Sequence, residues 1–298
     1  MNTLLENPKE MKRILSEKQI EELSGNIDRT SSLYEKLKGK GVKIISKTEA
    51  TYPERLKNLL GKKAPALLMI LGNTALLEKV SVGFCGSRKA SEKGLITAAD
   101  CAEQLARKGI NIISGYAAGV DMSAHRAAIE SGGTTILVLC EGILNFYIKK
   151  DFKDIWDWER IAVVSEFLPG IPWSERNAMQ RNKTNCALSR AMILIESGTN
   201  GGSMEAGRSS LNMGVPLFAP VYGDMPDSAV GNRQLLKEGA RPLLKTPSTG
   251  RANMKDVLSI VLDSDILKPE PPGKNPKVDG APSQLVLFER NQTKYSKK

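Results

Sequence analysis

Residues 80–121 read VSVGFCGSRKASEKGLITAADCAEQLARKGINIISGYAAGVD, and this stretch decides the fold. Its first six residues form a short, nearly continuous apolar run, as a buried strand does. Between residues 91 and 108, Leu95, Ala98, Ala99, Ala102, Leu105 and Ala106 recur at three- and four-residue spacing, the period of one helix face. Ser91 can cap the start of that helix and Gly109 its end. A second apolar run, INII at 110–113, leads through a glycine-rich loop into a helix over 121–131, which Gly132 and Gly133 stop. Outward from this unit, TTILVLC (134–140), IAVVS (161–165), AMILIE (191–196) and VPLF (215–218) repeat the apolar pattern. Strands that are apolar throughout and alternate with helices predict an α/β fold, a parallel sheet covered by helices on both faces. Ligands of such sheets bind beyond the carboxyl ends of the strands, so the loops after Cys85, Ile113, Ser165 and Glu196 become the candidate functional regions.

The chain has 298 residues and 32.5 kDa, room for one large domain with small appendages. We expect a helical appendage over 1–48, the α/β domain over 49–266 and a tail over 267–298, disordered because its Pro/Gly/Lys-rich start has no means of forming a core. A composition of 41% hydrophobic and 26% charged residues is that of a soluble globular protein. No apolar run approaches the roughly 20 residues that span a bilayer, and the N-terminus is too polar for a secretory signal, so the expectation is a cytoplasmic protein without a membrane partner. Cys85, Cys101, Cys140 and Cys186 are scattered, with no CxxC pair and no neighbouring histidine, which argues against a metal site or a disulfide framework. A net charge of +10 favours polyanionic partners, nucleic acid before all others.

Three loops carry the chemistry. Gly86-Ser87-Arg88-Lys89 joins a flexible turn to a guanidinium that can take a phosphate bidentately or stack on a base; a plain turn with solvated cations is the alternative. In the loop that begins at Ser114, Gly115 and Gly119 remove side chains where a phosphate could approach, and a helix N-terminus follows. Glu196-Ser197-Gly198-Thr199-Asn200-Gly201-Gly202-Ser203 opens a further helix, and Arg181-Asn182-Lys183 precedes the strand before it. With Arg88, Lys89, Arg181, Lys183 and Arg208 nearby, these loops predict a basic, amide-lined groove. Neither G-x-G-x-x-G nor a Walker A motif is present, so no nucleotide cofactor is expected. Asp121 reads as a helix cap and His125, the single histidine, as a packed residue rather than a base, which leaves no catalytic set and predicts a non-enzyme.

The ordered set GSR, SGxAxGxD with AH, RN, and ESG followed by GGS resembles the DNA-processing protein A (DprA/Smf) family. Tyr52-Pro53-Glu54-Arg55-Leu56, Pro65, Gly72, Glu141-Gly142-Ile143 and Ser165-Glu166 extend the resemblance, which covers roughly residues 50–245. It implies an extended Rossmann-like fold, single-stranded DNA binding in the loop pocket, homodimerisation, and handing of DNA to a recombinase in natural transformation or related recombination. On it, Gly86, Ser87, Arg88, Ser114, Gly115, Gly119, Arg181, Asn182, Ser197, Gly198, Gly202 and Ser203 would line the pocket. The chain departs from the family pattern at Ala178-Met179, where a Phe-Pro pair is usual, and at Lys183, where an Arg is usual. A second resemblance, to LOG-type nucleoside-monophosphate phosphoribohydrolases, rests on the spacing of Gly201 and Glu205, but the Gly-Thr pair of that loop reads Gly201-Gly202 here; a nucleotide sensor on the same pocket is a third reading. Finally, Gln284, Leu285, Leu287 and Phe288 stand as an apolar island resembling the sliding-clamp-binding pentapeptide, the alternative being a short strand added to this protein's own domain.

Overall fold

Among the described residues, nine strands form one sheet in the order β1-β2-β6-β5-β4-β3-β7-β8-β9. They are β1 (Lys43–Ser46), β2 (Leu67–Gly72), β3 (Ser81–Cys85), β4 (Asn111–Ser114), β5 (Thr135–Val138), β6 (Ile161–Ser165), β7 (Ala191–Leu194), β8 (Leu217–Pro220) and β9 (Arg241–Leu243). The protein is seen here as a computed structural model that describes residue 16 and residues 25–224 and 226–263. The tail and its motif Gln284, Leu285, Leu287 and Phe288 lie outside the described residues. Internal contacts divide the chain between Lys43 and Ile44. The N-terminal unit holds α1 (Ile27–Gly39), closed by Gly41 at φ 75° with Val42 N–H donating to the Leu37 carbonyl.

The expected parallel sheet is present as β6-β5-β4-β3-β7-β8-β9, every neighbouring pair parallel. Two features differ. β2 runs antiparallel to β6, pairing Met69 with Ser165 and Gly72 with Ala162, so the sheet is mixed. β1, which the sequence reading left inside the helical appendage over 1–48, is an edge strand of the same sheet. An apolar run reveals a buried strand but not its direction, and four residues of KIIS are too short to show a period.

β3 to β8 are buried along their whole length, except that the ends of the apolar runs lie outside the ladder. The helices of the second unit are α2 (Glu54–Leu60), α3 (Glu92–Ala106), α4 (Val120–Glu130), α5 (Glu175–Leu188), α6 (Gly202–Asn212), α7 (Val230–Lys237) and α8 (Lys255–Leu262). On one face, Val82, Phe84, Ile112, Ile193 and Phe218 pack with α3, α4 and α8 through Ala98, Ala102, Leu105, Ala124, Ala128, Val257 and Val261. On the other, Ile136, Val138 and Ala162 meet Leu56 and Ala187, while Met192, Leu194 and Leu217 meet Met204 and Leu235. No helix among the described residues is long and apolar enough to cross a membrane.

α3 begins as its sequence implies, with the Ser91 hydroxyl oxygen accepting from Gly94 N–H, and Gly109 closes it at φ 74°. The chain runs β3, β4, β5, β6 in one direction and then crosses to place β7 on the other side of β3. That reversal opens a crevice beyond the carboxyl ends of β3 and β7. Beside it, Gly94 lies so close to the buried Glu196 carboxyl that a Cβ would stand 2.5 Å from it. Gly94→Ala should therefore lower unfolding free energy by about 1–3 kcal/mol in urea titrations, the cost of an overpacked core. The small gain usual for glycine to alanine in an open helix would contradict that packing.

Candidate functional site

The crevice holds a cavity of about 380 Å³. Of the residues expected there, Gly86, Ser87, Arg88, Arg181, Asn182, Gly198, Gly202 and Ser203 line it. The first three form the turn after β3, Arg181 and Asn182 come from α5, and the rest belong to the loop after β7 and the first turn of α6. Asp121, Trp173, Met179, Asn185 and Asn200, which the sequence reading did not assign to the pocket, line it too.

The other expected residues act from outside the cavity. Ser114 is fully buried and its hydroxyl donates to the Phe84 carbonyl at 2.7 Å. Ser197 is also buried, its N–H donating to Asn232 Oδ1 at 3.0 Å and its hydroxyl to the Gly198 carbonyl. Gly115 makes room for the Arg181 guanidinium, against which any Cβ would collide. Gly119 at φ 79° abuts the Ser87 carbonyl and so supports the turn after β3, while Ala117 of the same loop lines the cavity. Lys89 and Lys183 are exposed beside the cavity's lining residues without being among them. The expectation that Arg208 joins the basic groove is corrected. Its guanidinium makes a two-point pair with the Glu238 carboxylate at 2.9 and 3.1 Å, a partner just past the end of α7 that sequence spacing does not reveal.

One buried carboxylate ties these loops together. Glu196 accepts from Ser91 N–H at 2.8 Å, from the Ser91 hydroxyl and from the Ser228 hydroxyl at 2.6 Å, while its backbone carbonyl accepts from Ser87 N–H at 2.8 Å. A buried carboxylate is tolerable only when its oxygens are satisfied in this way. Asn182 adds a bond from Nδ2 to the Gly202 carbonyl, linking α5 to the start of α6.

The cationic groups differ in availability. Arg181 is 6% exposed, lies 4.0 Å from the Asp121 carboxylate, and its Nε finds no hydrogen-bond partner among the described residues. Its guanidinium thus forms the floor of the pocket, with one carboxylate nearby. Arg88 is exposed at the rim, its guanidinium carbon 5.9 Å from the centre of the Trp173 ring. Glu166, largely buried, accepts from Gln180 and Thr184 of α5, and burial raises its carboxyl above the ordinary range. Glu205, the carboxylate of the phosphoribohydrolase alternative, sits in the first turn of α6 and is not among the lining residues.

No group of three or more potential metal ligands occurs among the described residues. Cys85, Cys101 and Cys186 are buried free thiols and Cys140 a half-buried one. His125 is fully buried, with Nε2 2.6 Å from the Gly115 carbonyl and Nδ1 2.6 Å from the Thr135 hydroxyl. A carbonyl only accepts, so Nε2 carries the proton; the Thr135 hydroxyl lies between Nδ1 and the Ile112 carbonyl, 2.9 Å from the latter, and its single proton serves one of the two at a time. Burial pushes the imidazole down to about 4, which keeps it neutral. The unfolded chain, with histidine near its ordinary 6.5, takes up the proton first as pH falls. The stability that neutral His125 contributes is thus complete above pH 6.5 and lost as pH falls towards 4. Urea midpoints of the native protein and of His125→Asn should converge across that window; a constant separation would contradict the assignment.

A family model described as DNA recombination-mediator protein A matches residues 43–251. The DNA processing protein DprA of Streptococcus pneumoniae is 32% identical over 180 residues, 60% of this chain and 63% of its own length. Protein Smf of Escherichia coli is 29% identical over 199 residues, 66% of this chain and 53% of its own length. Each match thus spans less than two thirds of the relative. The X-ray structure of the S. pneumoniae protein superposes with a TM-score of 0.64 at 29% identity, covering 73% of each chain. A structure of DNA processing protein A from Helicobacter pylori, described as having a unique single-stranded DNA binding mode, gives 0.60 at 22% identity and covers 74% of this chain and 95% of that one, a likeness of fold. With its model matched over most of the α/β unit, the chain belongs to the DNA recombination-mediator protein A family.

Proposed function

We propose that the protein binds single-stranded DNA in the crevice beyond β3 and β7 and processes it for recombination, as in natural transformation. The observation that carries this is the pairing of an exposed Arg88 at the rim with a cavity walled by the glycine-rich turns around Gly86, Gly198 and Gly202. Backbone amides and a guanidinium suit phosphate oxygens, and a chain of net charge +10 draws a polyanion towards them. The relatives named as DNA processing proteins, and the H. pylori protein described as binding single strands, support the same reading. In it the protein acts as a homodimer without enzymatic turnover and passes the strand to a recombinase. The Gln284–Leu285 and Leu287–Phe288 motif of the tail would recruit the sliding clamp. Ser87 and Asn182 orient the backbone, Arg88 and Lys89 meet it first, and Lys183 extends the basic margin.

Titration with a 20-nucleotide single strand and the matching duplex across salt tests the reading. The single strand should bind more tightly, with the logarithm of affinity falling by about 0.7 per contacted phosphate for each tenfold rise in salt. Arg88→Ala should weaken binding and flatten that slope by about one contact. Equal affinity for duplex, or an Arg88→Ala protein identical to the native one, would overturn it.

A further inference from the structure

The exposed cations of this protein fall into two groups. Arg107, Arg126, Arg160, Arg208 and Arg251 are each answered by a carboxylate at 3.0 Å or less. Among the described residues, no salt bridge reaches Lys62, Lys63, Arg176 or Lys183, all of them exposed. The topology gathers this second group. Because β2 runs antiparallel to β6, with Met69 opposite Ser165, the start of β2 stands at the carboxyl end of β6. The 3-10 turn Gly61–Lys63, just before β2, is thereby carried to the crevice end of the sheet.

α2 brings that turn alongside α5. Arg55 Nε donates to the carbonyl of Ser189, just past the end of α5, at 2.9 Å, and Leu59 packs on the apolar cluster that contains Cys186. The two helices are therefore antiparallel, and the turn that follows α2 falls beside the middle of α5, where Lys183 is. Lys47 Nζ donates to the Gly61 carbonyl at 2.6 Å and the Tyr52 hydroxyl to the Pro65 carbonyl at 2.8 Å, which holds the turn and adds a cation to it. Successive side chains stand about 100° apart around a helix. Asn182 thus lines the cavity while Lys183 faces outward from it. Arg176, Gln180 and Lys183, four and three residues apart, share one face, and Gln180 on that face reaches Glu166 at the end of β6. The Glu166 carboxylate is occupied by Gln180 and Thr184.

We propose that Lys62 and Lys63, with Arg176 and Lys183 of α5, form a second contact for the sugar–phosphate backbone, over which a strand seated in the crevice continues across α5. The proposal rests on the single-stranded DNA reading and adds to it the side on which the strand leaves. Carboxylate-paired cations are already neutralised, whereas these exchange mobile counterions for phosphates and gain from the release. Flexible ammonium groups meet phosphates without reading bases, so the contact rewards strand length and not sequence.

Fluorescence anisotropy titrations of a 6-nucleotide and a 20-nucleotide oligothymidylate across salt test it. For the native protein, the logarithm of affinity should fall more steeply with salt for the longer strand. Lys62→Ala/Lys63→Ala should weaken the 20-mer and make its slope shallower by about 1.4, two contacts at about 0.7 each, and leave the hexamer unchanged. Lys62→Arg/Lys63→Arg, which keeps the charge, should retain the native slope. Lys237→Ala/Lys255→Ala, which removes as much charge from α7 and α8, should alter neither length. All four lysines are exposed, so unaltered melting temperatures are expected and check that the variants fold. Equal slopes for both lengths in the native protein, an unaltered 20-mer slope in Lys62→Ala/Lys63→Ala, or an equal loss on both lengths would overturn the second contact while leaving the crevice reading intact. So would the same loss from the α7 and α8 pair. Absence of binding to either strand by the native protein would overturn the single-stranded DNA reading, and the second contact with it.

Discussion

The Glu196 carboxylate is the constraint on which the crevice depends. It is sealed from solvent at the end of β7 and receives hydrogen bonds from the start of α3 and from Ser228, beyond β8. Burying a charge costs several kcal/mol unless its oxygens are satisfied, so the segments that supply the donors are not free to wander. The Glu196 carbonyl also receives Ser87 N–H, which fixes the turn carrying Gly86 and Arg88 to the loop carrying Gly198. Immediately downstream, Ser197 is gripped by Asn232 and Gly231 of α7. Three loops that are distant in sequence are thereby held at one mouth.

This frame explains a division of labour among residues of similar type. The cations form a gradient from Arg181, sunk beside Asp121, to Arg88, which stands in water beside an indole. A buried guanidinium contributes to the shape and potential of the floor. An exposed one adds the attraction that long-range approach and counterion release require. Small residues divide likewise. Gly86, Gly198 and Gly202 open the wall, while Gly115 and Gly119 admit Arg181 and the Ser87 carbonyl behind it.

Much of this was legible in the sequence, for identifiable reasons. The strands from VSVGFC to VPLF declared themselves because burial on both faces removes polar residues altogether, and Ser91 and Gly109 marked α3 because caps need particular side chains or a positive φ. β1 and β9 are short edge strands that a period cannot reveal, and the reversed direction of β2 leaves no trace in its apolar run. The loops of the crevice were found from the rule that open α/β sheets bind at strand ends. Which way a serine or glycine faces within such a loop is decided by tertiary packing, so Ser114 and Ser197 read as contacts and prove to be internal donors. Arg208 was claimed by Glu238, just past the end of another helix. Trp173 was overlooked because an irregular loop has no period in which an aromatic residue stands out, although IPW shortly before the Arg-Asn pair was there to be read.

The central claim is that a single strand enters the crevice formed by the loops after β3 and β7. Hydrogen exchange of the full chain with and without a saturating 20-nucleotide single strand tests it most directly. The account predicts slowed exchange in peptides covering residues 86–91, 173–182 and 198–203, with α8 and β9 unchanged. Protection confined to other surfaces while the strand is bound would contradict it.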